Sequence, residues 1–190
     1  MEEALRQMVS VRPEVLLVST LPDRGSAGMA VQLASSMMVV ATLPAQTAAG
    51  AVNAVLHLGV APQNLSGCLA AVTCQRLVRQ ICRICREPTD APAAQTLAHH
   101  GLSAQEAAGL KFFRGKGCPT CNKVGYRGRR AIFEVMSVNP EIRTAVRNQL
   151  PTPEIEAMAV ASGMTSLRER CLQLVRDGVT TFDEFVRLRL

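Results

Sequence analysis

Two Cys-x-x-Cys pairs, Cys82/Cys85 and Cys118/Cys121, carry the strongest chemical signal in these 190 residues. A Cys-x-x-Cys turn presents two sulfurs on one side of a tight bend, and two such turns complete a tetrahedral Zn²⁺ site with Zn–S near 2.3 Å. All four positions would then be protein thiolates. No position remains for a catalytic water, so the site is expected to be structural. Competing readings are two redox dithiols, or ligands that have lost their metal. Four thiolates around Zn²⁺ carry a formal charge of −2, and the neighbouring Arg79, Arg83, Arg86, Lys116 and Lys123 are expected to offset it and lower the thiol pKa values. Cys68, Cys74 and Cys171 sit in apolar stretches and read as small core residues. His57, His99 and His100 show no ligand spacing with one another or with the cysteines.

The second place to look for chemistry is Arg12 to Asp23, RPEVLLVSTLPD. Val15 to Val18 reads as an apolar strand, and in a phosphate-hydrolysing site such a strand delivers a carboxylate at its carboxyl end to hold Mg²⁺ or orient water. This one delivers Ser19 and Thr20. Asp23 lies three positions beyond Thr20, and at about 3.3 Å per residue it is too far displaced to substitute.

Three textures divide the chain that must position these residues. Residues 1–78 alternate strand and helix: a helix over Ser26 to Ser36, an apolar run Met38 to Ala41, a helix Gly50 to Leu58 stopped at Gly59, then an apolar stretch Ser66 to Cys74. This alternation predicts an α/β fold, a parallel sheet covered by helices. Residues 79–137 hold the paired cysteines and most glycine-rich turns. Residues 138–190 read as all helical. Glu141 to Asn148 is one helix. Thr152 reads as an N-cap before Pro153, and Leu167, Cys171, Leu174 and Val175 share a face. Thr181 with Glu184 forms a capping box for a last helix burying Phe182, Phe185 and Val186.

Composition narrows the class further. Hydrophobic content is 48% and aromatic content 3%, with no Trp, so the core is aliphatic. Lys and Arg exceed Asp and Glu by 21 to 15, a moderate basic bias. Glu2 and Glu3 are the wrong charge for a secretory n-region, and the longest apolar patch, Met37 to Leu43, is too short to span a bilayer. A cytoplasmic chain is expected, where structural disulfides are rare.

Several motifs follow one another in order: Gln75-Arg76-Leu77-Val78-Arg79, the two Cys pairs, Gly125-Tyr126-Arg127-Gly128-Arg129 with Glu134, Gly163 to Arg168, and Asp177 to Thr181. Together they resemble the carboxyl-terminal part of the secretion and pilus-assembly ATPases, the GspE/PilB family of type II secretion and type IV pilus motors. The resemblance implies the later half of a RecA-like P-loop NTPase domain (1–78), a tetracysteine zinc-binding subdomain (79–137) and a helical carboxyl-terminal subdomain (138–190). It implies Zn²⁺ as a structural ion, ATP/Mg²⁺ as the family's substrate, Gln75 and Arg76 beside a nucleotide, and an oligomer engaging motor subunits or an inner-membrane platform protein. The chain would be peripheral at the cytoplasmic face of that membrane. Gly125 to Arg129 would be a turn supporting the zinc site, with Tyr126 packing and Arg129 pairing a carboxylate such as Glu134.

The departures are equally specific. No G-x-x-x-x-G-K-[ST] loop is present to cradle phosphates. Thr20 occupies the place of the acidic strand's Glu, while Met37 and Pro44 occupy the places of two histidines. The resemblance therefore implies a degenerate or truncated relative without a catalytic residue, acting by protein–protein contact. A second reading is a fragment whose P-loop half is supplied by an upstream segment. A third is a zinc-containing nucleic-acid module, disfavoured because Tyr126, Phe112 and Phe113 are nearly the only rings near the cysteines. Without the P-loop strand the sheet is expected to expose an edge and an apolar face.

Overall fold

A computed structural model describes residues 2–189. In chain order the elements are α1 (Glu2–Val11), β1 (Val15–Val18), α2 (Arg24–Leu33), β2 (Met38–Ala41), α3 (Ala48–His57), α4 (Pro62–Cys68) and β3 (Ala71–Ile81). There follow β4 (Arg86–Pro88), α5 (Ala94–His99), α6 (Ala104–Ala108), β5 (Phe113–Gly115), a 3₁₀ turn at Pro119–Cys121 and β6 (Tyr126–Ser137). The chain ends in α7 (Pro140–Arg147), α8 (Thr152–Ala161), α9 (Leu167–Arg176) and α10 (Phe182–Leu188).

Two compact units form, each discontinuous in sequence. The first comprises the chain up to Cys74 with Glu134–Met164, and the second Gln75–Phe133 with Thr165 onwards. The cuts fall within β3 and β6, which pair with each other.

In the first unit β1 and β2 pair in parallel, Val15 opposite Met38 through Val18 opposite Ala41. Among the described residues this parallel sheet has only these two strands. Val18 is buried, but Val15, Leu17, Met38 and Val40 are exposed. Parallel strands are normally covered on both faces, so this open apolar face is unusual, and it matches the exposed face expected from the sequence. Around the sheet, α1 packs on α2, α3 on α8 and α4 on α7. The core there is aliphatic, with Ala27, Ala48, Ala49, Val52, Ile142, Val146 and Ile155 at most 2% exposed.

Helix starts follow local capping chemistry. The Thr47 side chain accepts from Gly50 N at α3, and Asn139 from Ile142 N at α7. At α8 the reading shifts by one residue: Pro151 is the N-cap and Thr152 is already helical. Its hydroxyl instead accepts from Asn53 Nδ2 at 2.7 Å, which frees it from the capping role. At α10 the expected capping box is half formed. Thr181 Oγ1 accepts from Glu184 N at 3.1 Å, but the Glu184 carboxylate turns to Arg79 and Arg187. Two short helices, α5 and α6, occupy the region read only as turns and loop.

Candidate functional site

The second unit brings the four cysteines together. Their sulfurs all lie within 4.8 Å of one another. Cys82–Cys118, Cys85–Cys121 and Cys118–Cys121 are each 3.8 Å apart, S to S. Four sulfurs placed tetrahedrally at 2.3 Å from one ion stand about 3.8 Å apart, whereas a disulfide requires about 2.05 Å. The geometry is that of a four-thiolate metal cage, and this cluster can hold a metal ion.

Backbone folding makes the cage. Cys85 N bonds Cys82 O at 3.3 Å, closing the first turn, and Cys121 N bonds Cys118 O at 3.2 Å, closing the second. Gly117 and Gly125 take φ of +92° and +81°, which L side chains rarely adopt. A Cβ on Gly115 would collide with the Gly125 backbone, so the two glycine-bearing segments can meet only without side chains. Three amides point at sulfur at 3.3 Å: Gly117 N to Cys85, and Cys118 N and Gly125 N to Cys121. Those from Cys118 and Gly125 hold the Cys121 thiol down to about 6, while desolvation pushes Cys85 up to about 12. A bound dication removes the repulsion between thiolates, so binding releases protons.

Two of the five basic side chains expected to face the sulfurs have other partners. Arg79 Nε bonds Glu184 Oε2 at 2.7 Å, and its guanidinium lies 4.1 Å over the Tyr126 ring. Arg86 Nη1 bonds Gly178 O at 3.1 Å and stacks 4.8 Å from the Phe113 centroid. Backbone N–H groups, at fixed short range, contact the sulfurs directly.

A brace joins the cage to the last helices of the same unit. Cys82 N donates to Gly125 O, and the preceding residue, Ile81, donates to Val179 O, both at 2.9 Å. Tyr126 and Thr181 share a hydroxyl bond of 2.7 Å, and Thr180 Oγ1 donates to Arg79 O at 2.8 Å. Glu184, with no exposed side-chain area, accepts from Arg79 N, Arg79 Nε and two nitrogens of Arg187.

In the first unit, the carboxyl end of β1 carries Ser19 and Thr20, both exposed. Parallel pairing puts the Thr42 to Pro44 segment at the same end. Leu21 N bonds Thr42 O at 3.1 Å, and the Thr42 hydroxyl donates to Ser19 O. Thr20 and Pro44 thus flank one end of the sheet. Met37 precedes β2 and lies at the other end, about 13 Å away along a four-residue strand. Asp23 is the N-cap of α2, accepting from Ser26 N at 2.8 Å. That bond, with the Ser26 hydroxyl, holds its carboxyl below the usual range. The nearest acid after β1 is committed to a helix start.

The family profile described as "Type II/IV secretion system protein" matches residues 1–187. The chain belongs to this family. It is 37% identical over 182 residues to the type IV pilus assembly ATPase PilB of Thermus thermophilus, covering 95% of this chain and 20% of that protein. It is 34% identical over 185 residues to the type II secretion system protein E of Pseudomonas aeruginosa, covering 97% of this chain and 36% of the relative. This chain thus spans about a fifth to a little over a third of such relatives. The fold resembles that of the Yersinia pseudotuberculosis ATPase DotB (TM-score 0.65, 15% identity, 98% of this chain and 39% of that one). It equally resembles the ADP-bound pilus retraction motor PilT (TM-score 0.64, 16% identity, 98% and 43%). An α/β fold of this ATPase type is therefore the architecture of the family member described here.

Other family positions fall as follows. Gln75 is exposed on β3 and its carbonyl accepts from Arg76 Nη1 at 2.9 Å. Tyr126 to Arg129 is not a turn but the start of β6. Arg129 makes no ion pair with Glu134 among the described residues: the two are five positions apart on one strand, and an odd separation puts side chains on opposite faces. Glu134 is 1% exposed and accepts from Ala48 N at the start of α3, a carboxylate at a helix N-terminus. Sequence reasoning missed that role. The period-two signal was available, since Ile132 and Met136 on the same face are also buried. His100 packs edge-on to Phe182, with centroids 6.0 Å apart.

Proposed function

We propose that this chain is a family member that does not hydrolyse ATP by itself and acts through contact with secretion or pilus motor subunits or their inner-membrane platform. The carrying observation is the end of β1. Thr20 stands where hydrolysis needs a carboxylate, and the first acid after β1, Asp23, is held as a helix cap. In this reading residues 1–78 are the later half of a RecA-like domain, 79–137 the metal-binding segment and 138–190 the helical end. Zn²⁺ is the ion for Cys82, Cys85, Cys118 and Cys121, since a tetrahedral all-thiolate cage suits it. The ion fills a folding role, as all four positions are protein sulfurs. Gln75 and Arg76 are left with structural roles.

A second reading is favoured by the exposed face of Val15, Leu17, Met38 and Val40. There, a P-loop half from another segment covers the sheet, and the assembly powers pilin or pseudopilin addition. No helix among the described residues is long and apolar enough to cross a membrane. Either reading is compatible with peripheral attachment at the inner membrane.

One assay tests the first reading. Phosphate release by the purified, metal-loaded chain is expected to stay at background with Mg²⁺ present. Turnover that disappears on Mg²⁺ removal overturns the first reading.

A further inference from the structure

The net positive charge of this protein lies in its second unit. That unit holds sixteen of the 21 Lys and Arg and seven of the 15 Asp and Glu, a net +9, against −3 for the first. Six of the thirteen arginines there are engaged in this way: Arg79 and Arg187 with Glu184, Arg114 with Glu87, Arg176 with Glu169, Arg168 with the His100 carbonyl and Arg86 with that of Gly178. Arg83 and Arg130 have neither an ion pair nor a hydrogen bond among the described residues. Both line the same cleft of about 310 Å³, with Gln80, Ile81, Gly178 and Val179.

We propose that this cleft binds a carboxylate-bearing segment of an acidic protein partner. Guanidinium groups match a carboxylate in two parallel N–H···O bonds, which a lysine cannot offer. Between the arginines, Ile81 and Val179 are joined N–H to carbonyl at 2.9 Å and supply an apolar wall for a side-chain stem. Gln80 donates its amide to Arg129 O at 3.2 Å, which leaves its carbonyl oxygen to accept a backbone N–H of the bound segment. The lining contains no aromatic ring on which a base would stack, which disfavours nucleic acid. Position matters as well. Arg83 is inside the Cys82–Cys85 turn, and the Ile81–Val179 bond abuts Cys82, so a loaded cage fixes the cleft's walls. The proposal rests on reading this chain as a contact-making family member.

The test uses the metal-loaded full chain and a fluorescein-labelled octaglutamate peptide, followed by anisotropy. Saturable binding is expected, weakening with salt. Arg130→Ala and Arg83→Ala are each expected to raise Kd at least fivefold, while Arg147→Ala, an equal charge loss in the other unit, changes it less than twofold. Metal content is measured for each variant; where Arg83→Ala loses metal, Arg130→Ala decides. No binding, an equal loss in Arg147→Ala, displacement of the peptide by inorganic phosphate at matched charge, or tighter arginine-dependent binding of mixed-sequence single-stranded DNA would each overturn the proposal. ATP turnover by the same preparation would sink the non-hydrolysing reading and leave this one standing.

Discussion

Glu184→Gln probes how the carboxyl-terminal helix is held. The carboxylate has no exposed side-chain area and accepts from Arg79 N at 2.9 Å, Arg79 Nε at 2.7 Å, and Arg187 Nε and Nη2 at 2.8 and 2.7 Å. Burial alone would push this carboxyl up. The bonds from Arg187 and Arg79 more than offset it and hold it at about 2, against an ordinary 4.5. A depression of that size is worth about 3 kcal/mol at neutral pH, from 1.36 kcal/mol per pKa unit. Both arginines are partly exposed, and solvent screening brings the figure to about 2 kcal/mol. The folded pKa lies below the unfolded one, so the contribution is complete above about 4.5 and is lost as pH falls toward 2. Urea unfolding of the metal-loaded protein at pH 7 should show Glu184→Gln less stable by about 2 kcal/mol. The gap between wild type and variant should narrow as pH drops through 4.5 to 3. A difference under about 0.5 kcal/mol at pH 7, or one that ignores pH across that window, would refute the idea that this carboxylate anchors α10 as an ion.

Three further outcomes follow from the same geometry. Elemental analysis is expected to find a bound metal ion in the wild type and none in Cys121→Ser, whose Tm should fall; wild type treated with a strong chelator should show the same Tm drop, and bound metal surviving in the variant would contradict a four-sulfur cage. Asp23→Ala should cost about 1 kcal/mol in chemical denaturation, the ordinary value of an N-cap, whereas Asp23→Ser should be nearly neutral. Glu134→Ala leaves the Ala48 N–H without its carboxylate in a buried setting and should cost about 1–3 kcal/mol, with faster amide exchange at the first turn of α3 than elsewhere in that helix.

Much of this protein is legible in the chain because its signals are short-range. Two cysteines three positions apart share a turn whatever the rest of the fold does. Leu167, Cys171, Leu174 and Val175 recur at the helical period, and each is at most 6% exposed in α9. The β1 and β2 runs were visible as unbroken apolar segments, and their crossover helix requires parallel pairing. Family membership, too, was carried by motifs in order along the sequence.

Choices among chemically equal partners were decided only by tertiary structure. Sixteen basic residues stand in the second unit, and nothing local says that Glu184 takes Arg79, 105 positions away, together with Arg187. Arg129 and Glu134 looked like a pair by proximity in sequence, yet the alternation of a strand separates them. The thiolates looked destined for the neighbouring cations, yet backbone amides held by Gly117 and Gly125 reach them first. The compact units interleave the two ends of β3 and β6, which no linear reading of texture distinguishes. Periodicity and turn chemistry act over a few residues and are therefore encoded locally. Partner selection depends on which groups the closed chain brings within 3 Å, and that is a property of the fold as a whole.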